Sequence, residues 1–170
     1  MQRRTIVTIV LAVAAFFIGG GIFEYARYLG PQTVLQTNGD MEHCRQGGVL
    51  EGVGRESRFT VLSTCERAIG IVHDMEGTKE DDGDYQFNLD VEGPYKRLLN
   101  QENNNRWHGM LVIEIIPSDQ GSNSVQIPKN GDRIEVYGAW VTDHAYLGLP
   151  FFPGWNEIHP AWNVKILTRS

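Results

Sequence analysis

The chain has 170 residues, 41% hydrophobic and 21% charged, with 19 Gly, 7 Pro, 4 Trp and 2 Cys. That length supports one domain, or one domain plus an anchor, and the composition argues against a fully disordered, collagen-like or disulfide-dense chain. The formal charge is −6, and residues 31–170 alone carry 12 basic against 20 acidic residues. No Lys/Arg cluster exceeds a dipeptide, so nucleic acid is a poor partner and anionic lipid a poor docking surface.

Met1–Arg4 is a short basic start, followed by 19 uncharged, mostly apolar residues from Thr5 to Phe23. Such a run is long enough to cross a bilayer core as a helix and long for a signal peptide. Residues 1–30 are therefore predicted to be a signal anchor or transmembrane helix, with residues 5–23 in the membrane. Arg3 and Arg4 place the amino end in the cytoplasm and the rest outside. Outside the cytosol, Cys44 and Cys65 are predicted to pair. The alternatives are a metal site with His43 and His73, or two buried thiols.

Residues 31–57 are Gly- and polar-rich without a sustained period, and read as a linker or ordered loop. Residues 58–170 read as the folded domain. Arg58–Leu62 and Glu66–Val72 are two short β-prone runs, and Gly70 inside the second suggests a bulge or tight barrel bend. Residues 76–84 (EGTKEDDGD) carry a hairpin-loop signal. Asp84–Val91 alternates with period 2: Tyr85, Phe87, Leu89 and Val91 face one way. Gly93-Pro94 opens a short helix over Pro94–Asn100, and Gln101–Arg106 reads as a polar loop. Met110–Ile116 reads as a buried strand containing Glu114, and Arg133–Val141 as the next strand. His144–Pro153 is a loop. Gly154–Leu167 closes the chain, with Ile158, Trp162, Val164 and Ile166 on one parity and Trp155, Glu157 and His159 on the other. The order predicts a mainly β, OB-like barrel of five to six strands with one short helix.

The segments RFTVLSTCERAIGIV, DDGDYQFNLDVEGPYKRLLN, LVIEIIP, GDRIEVYGAWVTD and GWNEIHPAW resemble a family of uncharacterised secreted or membrane-anchored OB-like domains of archaea and Gram-positive bacteria. The resemblance spans residues 58–167 and implies a fold and an address rather than an activity. In that family the position of Gln86 is often His, so the resemblance implies a possible ligand that this chain lacks.

Four groups are candidates for chemistry. Glu157 and His159 lie at i and i+2 of a strand, on a face expected to point outward or into a groove. A carboxylate beside an imidazole suits metal ligation or acid–base work. Glu114, alone among apolar neighbours, needs a basic partner if buried, such as Arg133 or His159. Asp82 and Asp84 resemble half of a calcium loop, giving Asp82, Asp84 and His159 as a metal alternative, although Asp82-Gly83 equally suits a tight turn. Tyr146, Phe151, Phe152 and Trp155 crowd the last third as binding residues, with Leu149–Pro153 as an exposed apolar patch. There is no P-loop, GxSxG, HExxH or GxGxxG, and no cofactor is implied. The expected function is a membrane-anchored, extracytoplasmic, OB-like binding or assembly module. It would be an accessory subunit of a membrane or cell-envelope complex, with contacts on the loops at 101–108 and 144–156. The alternative is an extracytoplasmic hydrolase, with or without a metal, using Glu114, Glu157 and His159.

Overall fold

The computed structural model describes residues 41–75, 82–144 and 153–170. The predicted anchor over residues 1–30 lies outside the described residues, as do most of the 76–84 loop and the residues Tyr146, Phe151 and Phe152. No described helix is long and apolar enough to cross a membrane.

Five strands form a closed barrel: β1 (Phe59–His73), β2 (Tyr85–Val91), β3 (Leu111–Ile115), β4 (Arg133–Asp143) and β5 (Trp155–Thr168). Their order around the barrel is β1-β2-β3-β5-β4. All pairings are antiparallel except β3 with β5. This is the mainly β, closed architecture expected, and it is consistent with an OB-like fold. The helical connection falls between β2 and β3.

The two β-prone runs before and after residue 63 form one strand. β1 must pair with β4 over most of its length and with β2 at its far end. Register shifts between Val61 and Glu66 bend it to do both. Gly70 is the crossing point, bonded to both neighbours. A Cβ there would lie 2.4 Å from the Asp90 carbonyl oxygen, so the glycine serves close approach of the β2 backbone, while the irregularities of β1 fall earlier, between Val61 and Glu66. β2 keeps its alternation, with Phe87, Leu89 and Val91 buried in the main core beside Ile113, Ile134 and Ile158. Each such side chain contributes roughly 1.5–3 kcal/mol by leaving water.

Gln101–Arg106 is not a loop but a short helix, α1. Asn100 caps it by accepting from the Glu102 and Asn103 N–H groups, while the Asn103 side chain accepts from the Asn100 N–H. Asn103 is fully buried and its amide also donates to the Asn156 carbonyl of β5. Tertiary bonds thus offset the weak helix propensity of asparagine. The predicted helix over Pro94–Asn100 is instead a 3-10 turn, Gly93–Leu98.

The parity assigned to β5 also changes along the strand. Two register shifts against β4, on either side of Gly138, rotate β5 between Ile158 and Asn163. Ile158, Val164 and Ile166 face the main core, whereas Trp162 joins a second cluster with Ala139 and Val141. Val49, Leu50, Phe59 and Val61 pack onto that second cluster. Residues 41–53 are therefore tied to the barrel. Cys44 and Cys65 are disulfide-bonded. The Trp162 indole N–H donates to the His43 carbonyl at 2.8 Å, and Arg45 pairs with Asp119.

Replacing both cysteines by serine should lower stability by about 3 kcal/mol in the chain-entropy model, read as a lower denaturant midpoint under oxidising conditions. Gly138→Ala should cost about 1–3 kcal/mol, because its Cβ would lie 2.3 Å from both Ile158 Cγ2 and the Pro160 carbonyl oxygen. An unchanged midpoint would contradict the crossing described at Gly138.

Candidate functional site

Glu157 and His159 flank Ile158 on β5, so both point away from the main core. Glu114 alternates with Ile113 and Ile115 on β3 in the same sense. The parallel pairing of Val112 with Glu157 and of Ile113 with Ile158 sets these two strands side by side. Asp84 arrives from the turn before β2. Gly83 there has a φ of 93°, and Asp82 Oδ1 accepts from the Asp84 N–H.

These four side chains converge. His159 Nδ1 lies 2.7 Å from Glu114 Oε2 and 3.0 Å from Glu157 Oε1. His159 Nε2 lies 3.4 Å from Asp84 Oδ2. The other Glu157 oxygen accepts the Trp155 indole N–H at 2.8 Å. Phe59 stands edge-on to the imidazole, 4.9 Å between ring centres. Asp143, at the end of β4, is paired with Arg58 at 3.0 Å, yet neither of its oxygens has a hydrogen-bond partner.

The expectation that Glu157 and His159 face outward or line a groove is corrected: they are 0% and 2% exposed. Phe59 and the packing around the second cluster cover this face of the sheet. Glu114 is also buried and takes His159 as its basic partner; Arg133 instead pairs with Glu92. Asp84 joins the cluster, whereas Asp82 stays exposed and serves the turn. Gln86 is directly across from Glu114 in the register and half-buried, so it brings no ionisable group to that position. An open cavity of about 450 Å³ lies elsewhere, lined by residues 48–52, Glu56 and Val61.

Of the aromatic candidates, Trp155 is described and is half-buried. Its ring meets Trp107 edge-on at 5.5 Å between centres, with the Arg106 guanidinium 5.8 Å from the Trp155 ring. Trp155, at the start of β5, thus meets the end of α1 and the residue after it; most of the loop expected at 144–156 lies outside the described residues. The sequence reading missed Asp143 and Arg58. Asp143 shares parity with Ala139 and Val141, which pack on the same face as Glu157, and that was the available signal.

Burial sets the electrostatics. Loss of water, reinforced by the Glu114 charge, pushes the Glu157 carboxyl up to about 8. Desolvation likewise raises Asp143 to about 6, with Arg58 opposing. For His159, burial acts downward, but the acidic groups of Asp84, Glu114 and Glu157 around the ring outweigh it and push the imidazole up to about 12. The cluster thus concentrates carboxylates around one cationic imidazole, with Glu157 holding its proton at neutral pH.

No family model, curated protein or solved structure matches this chain.

The three shifts share one sign. Glu157 and Asp143 hold protons in the folded state that the unfolded chain releases from about 4.5 and 3.8 upward, so their contribution falls as pH rises to about 8 and 6. The His159 contribution is complete below its unfolded value of 6.5 and is lost as pH rises through about 12. In chelator, the urea midpoint should therefore fall between pH 5 and 8, and Glu157→Gln should flatten that fall. A midpoint that rises over this window would contradict the assignment.

Proposed function

We propose that this chain is a membrane-anchored, extracytoplasmic, OB-like binding module, an accessory subunit of a membrane or cell-envelope complex. One observation carries the reading: Trp155 joins a surface to a buried charged centre. On one side its ring meets Trp107 and Arg106; on the other its N–H holds Glu157. Tryptophan and arginine are enriched where protein partners bind, because both offer a large, adaptable contact area. The buried cluster beneath fixes the Trp155 ring, which lowers the ordering cost of binding. The apolar run at residues 5–23 supports the anchor, and the Cys44–Cys65 disulfide fits an oxidising compartment.

A second reading is favoured by a separate observation, the convergence of Glu114 and Glu157 on His159. It makes the chain an extracytoplasmic hydrolase in which these three side chains move protons. Their burial counts against direct contact with a substrate.

The full chain, extracted from its own membranes in mild detergent, should run well above one chain plus micelle, with other polypeptides present. Arg106→Glu with Trp107→Ala should return it to a lone chain, with near-UV circular dichroism used to check the fold, since Arg106 is exposed and Trp107 half-buried outside the two core clusters. A wild-type protein already running as a lone chain would sink the accessory-subunit reading. Loss of a hydrolytic activity in a folded Glu157→Gln variant, with the assembly unchanged, would favour the hydrolase.

A further inference from the structure

Most buried or half-buried carboxylates described here have an arginine. Glu66 pairs with Arg97, Asp119 with Arg45, Asp132 with Arg169 and Asp143 with Arg58. Asp84 and Glu114 do not. They are 4% and 6% exposed, and among the described residues their only ion-pair partner is His159. Two carboxylates withdrawn from water with a single shared imidazole are an incompletely compensated charge.

A second observation is independent of that charge balance. His159 Nε2 is buried and has no hydrogen-bond partner, although buried ring nitrogens are normally satisfied. It faces Asp84 Oδ2 at 3.4 Å, an ion-pair contact beyond the usual range of an N–H···O hydrogen bond. One oxygen of Asp84, one oxygen of Glu114 and one ring nitrogen of His159 lie within 4.8 Å of one another. We propose that Asp84, Glu114 and His159 form a binding site for one divalent first-row transition cation of the Mn²⁺ or Zn²⁺ class.

The donor chemistry selects this class. Two carboxylates and one imidazole make a mixed oxygen–nitrogen set, which suits Mn²⁺ or Zn²⁺ better than all-oxygen Ca²⁺. Glu157 sits against Nδ1 and is itself held by Trp155. The three donors come from the turn before β2, from β3 and from β5, so the cation would tie three barrel strands together. Asp82 takes no part, because it is exposed and its Oδ1 is occupied by the Asp84 N–H. Trp155 and Glu157 lie between this site and the partner surface at Trp107, but the three donors themselves touch neither Trp107 nor Arg106 in any contact described here, so metal binding and assembly are read separately.

The test uses the full chain in detergent, stripped with chelator and titrated with MnCl₂. Free Mn²⁺ is followed by electron paramagnetic resonance, and the histidine side-chain resonances by NMR. One ion per chain should bind, and His159 should broaden before one equivalent is reached. Asp84→Asn and Glu114→Gln should each weaken binding by at least about tenfold, with near-UV circular dichroism unchanged. Absence of saturable binding would overturn the proposal. So would undiminished binding in both folded variants, or broadening confined to exposed acids with His159 untouched. Should the variants fail to fold, the His159 broadening in the unsubstituted chain decides alone.

Discussion

Among the described residues, the imidazole of His159 is the cationic group that Asp84, Glu114 and Glu157 share, and the surrounding structure depends on that sharing. Each carboxylate is nearly or fully removed from water. Such a group stays folded only if its charge is compensated or its proton retained. Both solutions operate here. The imidazole answers Asp84 and Glu114, while Glu157 keeps its proton toward neutral pH. A cation at the same place would be a third solution, and it would relieve the unpartnered Nε2 as well.

The barrel crossing is what puts these groups together. β3 and β5 run in parallel, so Glu114 and Glu157 stand on neighbouring strands facing the same way. Bends in β4 and β5 around Gly138 then turn Trp162 into a separate apolar cluster on that face. Phe59 and the 41–53 segment complete the cover, with the disulfide fixing that segment to β1. The polar cluster is thus enclosed by a layer that a bare five-stranded barrel would not have. Trp155 is the link outward: its indole is fixed by Glu157 inside, and its ring meets Trp107 and Arg106 outside.

Strand positions were legible in the sequence because four of the five strands are bounded by Gly, Pro or charged loops. The alternation in β2 was clean enough to assign its faces. That Glu114 would need a basic partner such as His159 followed from its being a carboxylate inside an apolar run, whereas the convergence of Glu114, Glu157 and His159 was expected of the hydrolase alternative and not of a docking module. What the sequence hid was long-range. The rotation of β5 at residues 158–163 depends on close approach to Gly138, which no local period reveals. The α1 helix depends on Asn103 reaching across to Asn156. Phe59, which stands against the His159 ring, comes from the far start of β1, and the otherwise patternless 41–53 segment packs on the apolar cluster of the same face. Asp84 was read beside Asp82, but the turn needs Asp82 at its own backbone and frees only Asp84 for the cluster.

The most direct test of the shared-cation account is the protonation state of His159 in the intact chain. Nitrogen chemical shifts of the imidazole at neutral pH, in chelator, report it without substitution. The account predicts a doubly protonated imidazolium, held well above the ordinary histidine range by the Asp84 and Glu114 carboxylates and by its contact with Glu157. A neutral ring with one bare nitrogen would contradict it, and would leave the burial of Asp84 and Glu114 without a compensating charge.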